Sequence, residues 1–332
     1  MTETGGAAAA GRAARYRTVR LIRRFEEIAM RLVTERAIVG GIHPYTGQEA
    51  IAAGVCAALA CDDILTSTHR GHGHVLAKGV DPARLLAELA GRSTGLNGGR
   101  GGSMHAADFT LGIYGANAIV GAAGAIATGA LWALRRQGGD QVGVSFFGDG
   151  AVNEGALLEA FNLAALWRVP VLFVCENNGY ATTMPVESAV AGSIPARAAA
   201  FGMPTFQVDG QDVELVYEVA ERAVTLARTE VTPVFLECAT YRFDAHHTFE
   251  RLVRTDQRPA AELASARQRD PVRIAGDRLP AVDRAAIDDE VEAVLAAAVE
   301  FALNSPHPDP AGALDHLYAS GLKPRLRDGR QR

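Results

Sequence analysis

Two short stretches of this 332-residue sequence carry residue types suited to holding an anion and a hard cation together. The first is Gly148-Asp149-Gly150-Ala151, placed between the apolar run 142–147 and a helical run 154–167. In parallel α/β sheets ligands collect beyond the carboxyl ends of the strands. Glycines let a ligand approach the backbone, and a helix N-terminus offers free N–H groups to an anion. A carboxylate beside such an anion is repulsive unless a cation lies between, so Asp149 suggests magnesium bridging it to a diphosphate. Gly-Asp-Gly alone also reads as a turn with a capping aspartate. The second stretch favours the cation: the apolar run 171–175 ends in Glu176-Asn177-Asn178-Gly179-Tyr180, with Asn178 29 residues after Asp149. Adjacent parallel strands bring both to one sheet edge, where the Asn178 amide oxygen and a backbone carbonyl are hard ligands for an ion that takes about six oxygens.

The elements that must position these residues form a strand, helix, strand unit, which implies a parallel sheet. The pattern recurs downstream as strand 204–208, helix 213–227 and strand 234–239. Upstream, Val19, Ile22, Phe25, Ile28, Ala29, Leu32 and Val33 make one stripe of a helix over 16–35. Further helices are expected over 48–60 and over 82–89, the latter with proline at its start. Residues 98–105, Gly-Gly-Arg-Gly-Gly-Ser-Met-His, are too glycine-rich for a regular element and read either as a linker or as a loop folded over something. From Glu250 onward the pattern is polar and helical, with an apolar stripe over 287–303. No internal repeat is visible.

This length fits one large α/β domain with appendages. Residues 1–14, rich in Ala and Gly and lacking a continuous apolar run, read as a disordered tail rather than a secretion signal, and 323–332 as a basic flexible tail. A net charge of -5 offers no basic field for a nucleic-acid backbone. No apolar run reaches the roughly 18 residues of a membrane span. Cys56, Cys61, Cys175 and Cys238 form no CxxC pair, so a reducing, cytoplasmic location is the default.

Gly148-Asp149-Gly150 followed by Asn177-Asn178 resembles the thiamine diphosphate signature of transketolases, 2-oxo acid decarboxylases and their relatives. The wording of 148–155, 161–167 and 176–181 is similar to alpha subunits of the pyruvate, branched-chain and acetoin dehydrogenase complexes. His43 with Gly47-Gln48-Glu49-Ala50, then Thr68-His69-Arg70-Gly71-His72-Gly73-His74, then Gly101-Gly102-Ser103-Met104-His105 appear in that family's order. The resemblance runs from about Tyr16 to about Ala319. It implies a three-layer α/β/α thiamine diphosphate-binding fold with a mostly parallel central sheet, formed by residues 15–249, with 250–322 as a C-terminal helical extension of the same domain.

Carried over by residue, the resemblance implies that Asp149, Asn178 and the Tyr180 carbonyl hold magnesium. Gly150 and Ala151 would offer N–H groups to the diphosphate, which Arg70 would grip, while His69 stands where many relatives have Tyr. Ala118 and Val120 would meet the aminopyrimidine through their backbones. Arg242 and His246 match a loop at the channel mouth, where His246 would steady charge during turnover, and His43 matches a histidine of the substrate pocket. His72, His74 and His105 are expected as hydrogen-bonded architecture around the cofactor. A zinc cluster of His69, His72 and His74 is disfavoured, since no thiolate is near and Arg70 opposes a cation.

The activity implied is decarboxylation or cleavage of a 2-oxo acid or acetoin, with acyl transfer to a lipoyl carrier. The implied partners are a beta subunit, in an α2β2 assembly that supplies the activating carboxylate, and a lipoyl acyltransferase. A non-dehydrogenase thiamine enzyme and a cofactor-empty assembly subunit are the alternatives; a Rossmann nucleotide site is argued against by the missing GxGxxG turn. Two departures stand out. Ala118 replaces the usual Gly, which a backbone contact tolerates only at negative φ. His247 replaces a serine whose phosphorylation switches off some members, so that control is not expected here.

Overall fold

The computed structural model describes residues 2–253 and 258–315. Its centre is a sheet of six strands: β1 (Ile64–Thr68), β2 (Ile113–Asn117), β3 (Gly143–Gly148), β4 (Val171–Asn177), β7 (Thr205–Asp209) and β8 (Val234–Ala239). They lie in the order β2-β1-β3-β4-β8-β7, and every neighbouring pair is parallel. A small antiparallel hairpin, β5 (Tyr180–Ala181) with β6 (Met184–Pro185), sits apart from it.

Buried on both faces, the central strands are nearly continuous apolar runs. Their alternating side chains feed two cores. Val144, Phe146, Leu172, Val174 and Leu236 face one, while Phe147, Val171, Phe173, Cys175 and Phe235 face the other. The second core is capped by α5 (Ala122–Arg136) and α6 (Gly155–Trp167). The first is capped by α1 (Thr2–Thr34), α2 (Glu49–Ala57), α3 (His72–Ala77), α4 (Pro82–Leu89) and the helix Val213–Glu230. The result is three layers, α/β/α.

Register matters more for the site than the layers do. Thr68 pairs with Asn117, Gly148 with Glu176, and Asn177 with Ala239. The carboxyl ends of β2, β1, β3, β4 and β8 therefore lie along one edge of the sheet. The segments leaving those ends, namely 118–120, 69–70, 149–151, 178–180 and 240–246, are all delivered to a common place.

One expectation is corrected, and two features are added. Helix α1 already begins at Thr2, inside the stretch read as a disordered tail. Residues 7–10 and 13–14 are all alanine, the residue of highest intrinsic helix propensity, and Arg15 anchors this end by pairing with Glu214. The expected glycine turn between β3 and α6 is present, and it takes the form of a 3-10 turn, Asp149–Asn153. Last, β1 and β2 add two strands that the sequence pattern does not announce. The extension after Glu250 is helical where described, chiefly Ala260–Arg267, Pro271–Gly276 and Ala281–Asn304. The expected basic tail 323–332 lies outside the described residues. Among the described residues no helix is long and apolar enough to cross a membrane.

Candidate active site

At the converging strand ends lies a cavity, and all twelve residues anticipated for the site line it: His43, His69, Arg70, Ala118, Val120, Asp149, Gly150, Ala151, Asn178, Tyr180, Arg242 and His246. Gln48, Ser67, Met104 and Glu176, to which the sequence reading gave no role, line it too.

Asp149 is 2% exposed. Its Oδ1 accepts the Gly150 N–H at 2.8 Å, while Oδ2 is buried without a hydrogen-bond partner. Burial pushes the carboxyl up to about 6, and the backbone N–H groups of Gly150, Gly179 and Tyr180 oppose that rise. A bare, buried carboxylate oxygen is costly unless something pairs with it, and a divalent cation is the partner that suits it. Beside it, Asn178 Oδ1 accepts the Tyr180 N–H at 3.1 Å, and its Nδ2 donates to Gln48 Oε1 at 2.9 Å. The Tyr180 N–H, which can only donate, thereby fixes which end of the Asn178 amide is the oxygen, and Gln48, buried at the start of α2, holds the other end. These oxygens fit a hard cation. The Gly150 N–H is already engaged by Asp149, so an anion here would have to share it.

Two buried guanidiniums, Arg70 and Arg242, supply positive charge to the cavity. Arg70 donates to Pro44 O at 2.7 Å and to His246 O at 3.2 Å. Burial, and after it the neighbouring Arg242, pulls its pKa down to about 9, so an anion brought beside this guanidinium would meet a charge that gains from pairing. Arg242 is held by Asp244 O and Thr182 O, both at 3.1 Å.

His43, His69 and His246 present ring nitrogens within 4.8 Å of one another. Burial is the largest cause lowering each of their pKa values: His69 and His246 are pulled down to about 3, and His43 falls well below the ordinary range. All three rings are therefore neutral at neutral pH. Their spacing suits a metal, but the Arg70 guanidinium lies 3.2 Å from His246 Nδ1 and opposes a cation there. Because a guanidinium can only donate, His246 Nδ1 is an acceptor and its ring proton resides on Nε2.

His72 and His74 do not line the cavity. His72 bridges Glu26 (3.0 Å) and Ser103 (2.8 Å), and His74 bridges Ser67 (2.7 Å) and Glu176 (3.1 Å) while stacking on Phe146. Both are hydrogen-bonded architecture, as expected. His105 is exposed, its Nδ1 near Gly101 O at 3.3 Å. Ala118 is not among the four described non-glycine residues with positive φ, so the replacement of glycine there carries no backbone strain.

The loop 98–105 folds over something after all. Glu88, fully buried at the end of α4, accepts N–H bonds from Asn97 (2.7 Å) and Gly99 (2.9 Å) on one oxygen, and from Gly101 (2.7 Å) and Gly102 (3.1 Å) on the other. A Cβ on Gly95 would sit 2.5 Å from that carboxylate, and one on Gly99 2.6 Å from the Gly91 backbone. The wrapped loop then delivers Ser103 to His72 and Met104 to the cavity.

A family model described as the dehydrogenase E1 component matches residues 17–311. The chain belongs to that family. Its relatives include the alpha subunit of acetoin:2,6-dichlorophenolindophenol oxidoreductase of Bacillus subtilis, 41% identical over 310 residues and covering 92% of each chain. The corresponding alpha subunit of Cupriavidus necator is 41% identical, over 92% of this chain and 93% of that one. The pyruvate dehydrogenase E1 component subunit alpha of Rhizobium meliloti is 40% identical, over 89% and 86%. Like those relatives in extent, this E1 chain carries its cavity where parallel sheets collect ligands, beyond the strand ends.

Proposed function

We propose that this chain is the thiamine diphosphate- and magnesium-binding alpha subunit of a 2-oxo acid or acetoin dehydrogenase, acting in the cytoplasm. It would work with a beta subunit as an α2β2 assembly and pass the acyl group to a lipoyl acyltransferase. The observation that carries this is Asp149 Oδ2, buried and unpartnered beside the Asn178 amide and the Tyr180 backbone at the carboxyl end of the sheet. Asp149, Asn178 and the Tyr180 carbonyl would hold magnesium. Ala151 and Gly150 would face the diphosphate with Arg70, Arg242 and His69, and Ala118 with Val120 would border the aminopyrimidine.

When bound, thiamine diphosphate supplies the carbon nucleophile that adds to the substrate carbonyl and accepts the electrons left as the bond to the leaving group breaks. The chain's own residues supply position and charge. Arg70 and Arg242, both buried, would offset the diphosphate where protein rather than bulk water surrounds the pair and such pairing is stronger. His246, protonated on Nε2, can donate to an oxygen that gains charge, and His43 stands beside it on the substrate side.

Of the two carboxylates lining the cavity, Asp149 is given to the cation, and Glu176 Oε1 accepts from the Tyr45 hydroxyl and His74. An activating carboxylate from a partner chain suits that arrangement. So does the cavity rim, where Ile119 is 72% exposed and Val120 47%. Apolar residues at a ligand-bearing mouth favour cover by another protein surface.

The test is calorimetric titration of thiamine diphosphate into the chain co-expressed with its beta partner, with magnesium and with chelator, using Asp149→Ala as control. Magnesium-dependent uptake that the variant loses is the expected result. Uptake by the variant, or none by the wild type, refutes the assignment.

A further inference from the structure

We infer that His247 is a positioning residue: its ring braces His43 against the substrate side of the cavity. His247 does not line the cavity itself, but its ring meets that of His43 edge-on, centroids 4.6 Å apart at 64°. Two features fix the brace. The Phe249 N–H donates to His247 Nδ1 at 3.1 Å, which sets the ring's orientation. Gly41 lies under the ring so closely that a Cβ there would fall 2.0 Å from His247 Cε1.

The segments carrying both histidines are also tied together. Ile42 N–H donates to Thr248 Oγ1, and Thr248 N–H donates to Ile42 O, both at 3.0 Å. His43 is thus enclosed by His69, Arg70, His246 and His247, the groups that act on it electrostatically, and its Nδ1 is buried without a partner. With no hydrogen bond of its own at that nitrogen, the ring owes its placement to packing. On one flank the packing is His247. A serine, which the resemblance places at this position in relatives, is too short to reach.

The consequence for turnover rests on the function proposed above, whereas the packing claim does not, and the experiment separates them. The full chain co-expressed with its beta partner is compared with His247→Ser, His247→Phe and Gly41→Ala. The first readout is diethyl pyrocarbonate acylation of His43, mapped by mass spectrometry, which needs neither cofactor nor substrate. His247→Ser and Gly41→Ala should each expose His43 and speed its acylation several-fold, while His247→Phe, which keeps a ring, should stay near wild type.

The second readout is kinetic. Loss of one edge-on aromatic contact corresponds to a rise of about two- to tenfold in KM, larger than any fall in kcat. The acid limb of kcat/KM should also move to higher pH in His247→Ser, as water reaches His43, and return in His247→Phe. Unchanged His43 acylation in His247→Ser, or a phenylalanine variant as exposed as the serine one, overturns the inference. Faster acylation with an unaltered KM and pH profile would keep the packing and overturn its role in substrate placement. No cofactor uptake by the wild type would instead strike the proposed function.

Discussion

Glu88 is the residue whose loss the structure makes easiest to quantify. Glu88→Gln keeps the shape of the side chain and changes one of its two acceptor oxygens into an amide donor. Each oxygen serves two backbone N–H groups, so two of the four loop amides lose their acceptor and face a donor instead. A buried polar group left unsatisfied costs about 1–3 kcal/mol, giving about 2–6 kcal/mol for the pair. Domain stabilities are about 5–15 kcal/mol, so the variant should still fold and show the loss as local opening of 97–102. In hydrogen exchange read by mass spectrometry, a peptide covering that loop should exchange at least about 30-fold faster than in wild type. A peptide from β4 serves as the global reference. Loop exchange within threefold of wild type would refute the claim that Glu88 organises the loop. Equal acceleration in β4 would show that the carboxylate supports the whole fold instead. Because the same loop delivers Met104 to the cavity, cofactor affinity should fall as well, and Glu88→Ala should behave at least as badly.

Asp149 links cation binding to pH. Its folded-state carboxyl is raised to about 6, so below that value magnesium must displace a proton. Calorimetric affinity should rise about tenfold per pH unit up to about pH 6 and then flatten. A raised carboxyl contributes stability below its ordinary value and loses it as pH rises through 6. At pH 8 without metal, Asp149→Asn should therefore be more stable than wild type by about 1–3 kcal/mol and melt higher; a lower melting temperature would contradict this. Arg23 pairs with buried Glu49 at 2.6 Å and with Asp270 at 2.9 Å, so Arg23→Met should cost about 3–5 kcal/mol in chemical denaturation. A loss under 1 kcal/mol would mean that water relieves Glu49. Gly124 on α5 has Leu157 Cδ1 2.5 Å from where a Cβ would lie, so Gly124→Ala should overpack α5 against α6 and cost about 1–3 kcal/mol. No phosphate should be found on the loop around His247 by mass spectrometry of protein from the native host, since position 247 carries no hydroxyl and Thr248 is buried with its hydroxyl bonded to Ile42.

Helix α4 and β8 were legible to the residue because their signals are local: Asp81 caps Ala83 N–H with proline next, and 234–239 is apolar except for Glu237 and follows Pro233. β1 and β2 were not. Each has five residues; β1 ends in Thr66-Ser67-Thr68, and β2 holds Gly115 and Asn117, so neither has the composition of a buried strand. Their identity as strands comes from register against β3, a long-range fact. The site residues named from the sequence all reach the cavity, because the motif words sit at strand ends and a parallel sheet aligns those ends. Gln48, Ser67 and Glu88 went unassigned for the opposite reason. Their roles are second contacts, made by side chains to an amide, a histidine and a loop, and no spacing announces such contacts. The glycine run was the one indirect sign of Glu88.

The first helix and the last long one are joined by charge: Arg17 to Glu290, Arg20 to Asp288, and Arg24 to Glu292. On a ribosome these partners are made far apart in time. Between Thr34, where α1 ends, and Ala281, where its partner begins, 246 residues must emerge. At about 5–20 residues per second that is roughly 12–50 s during which α1 has been synthesised but its closing partner has not. The flank of α1 that packs against α2 and α3 can be covered early, but the flank that meets 281–304 stays open through that interval, and the clasp shuts only once those residues have emerged. Slowing or stalling translation between His246 and Ala281 should therefore send this chain to chaperones or aggregates, even though every residue named here for its cofactor site has already been made.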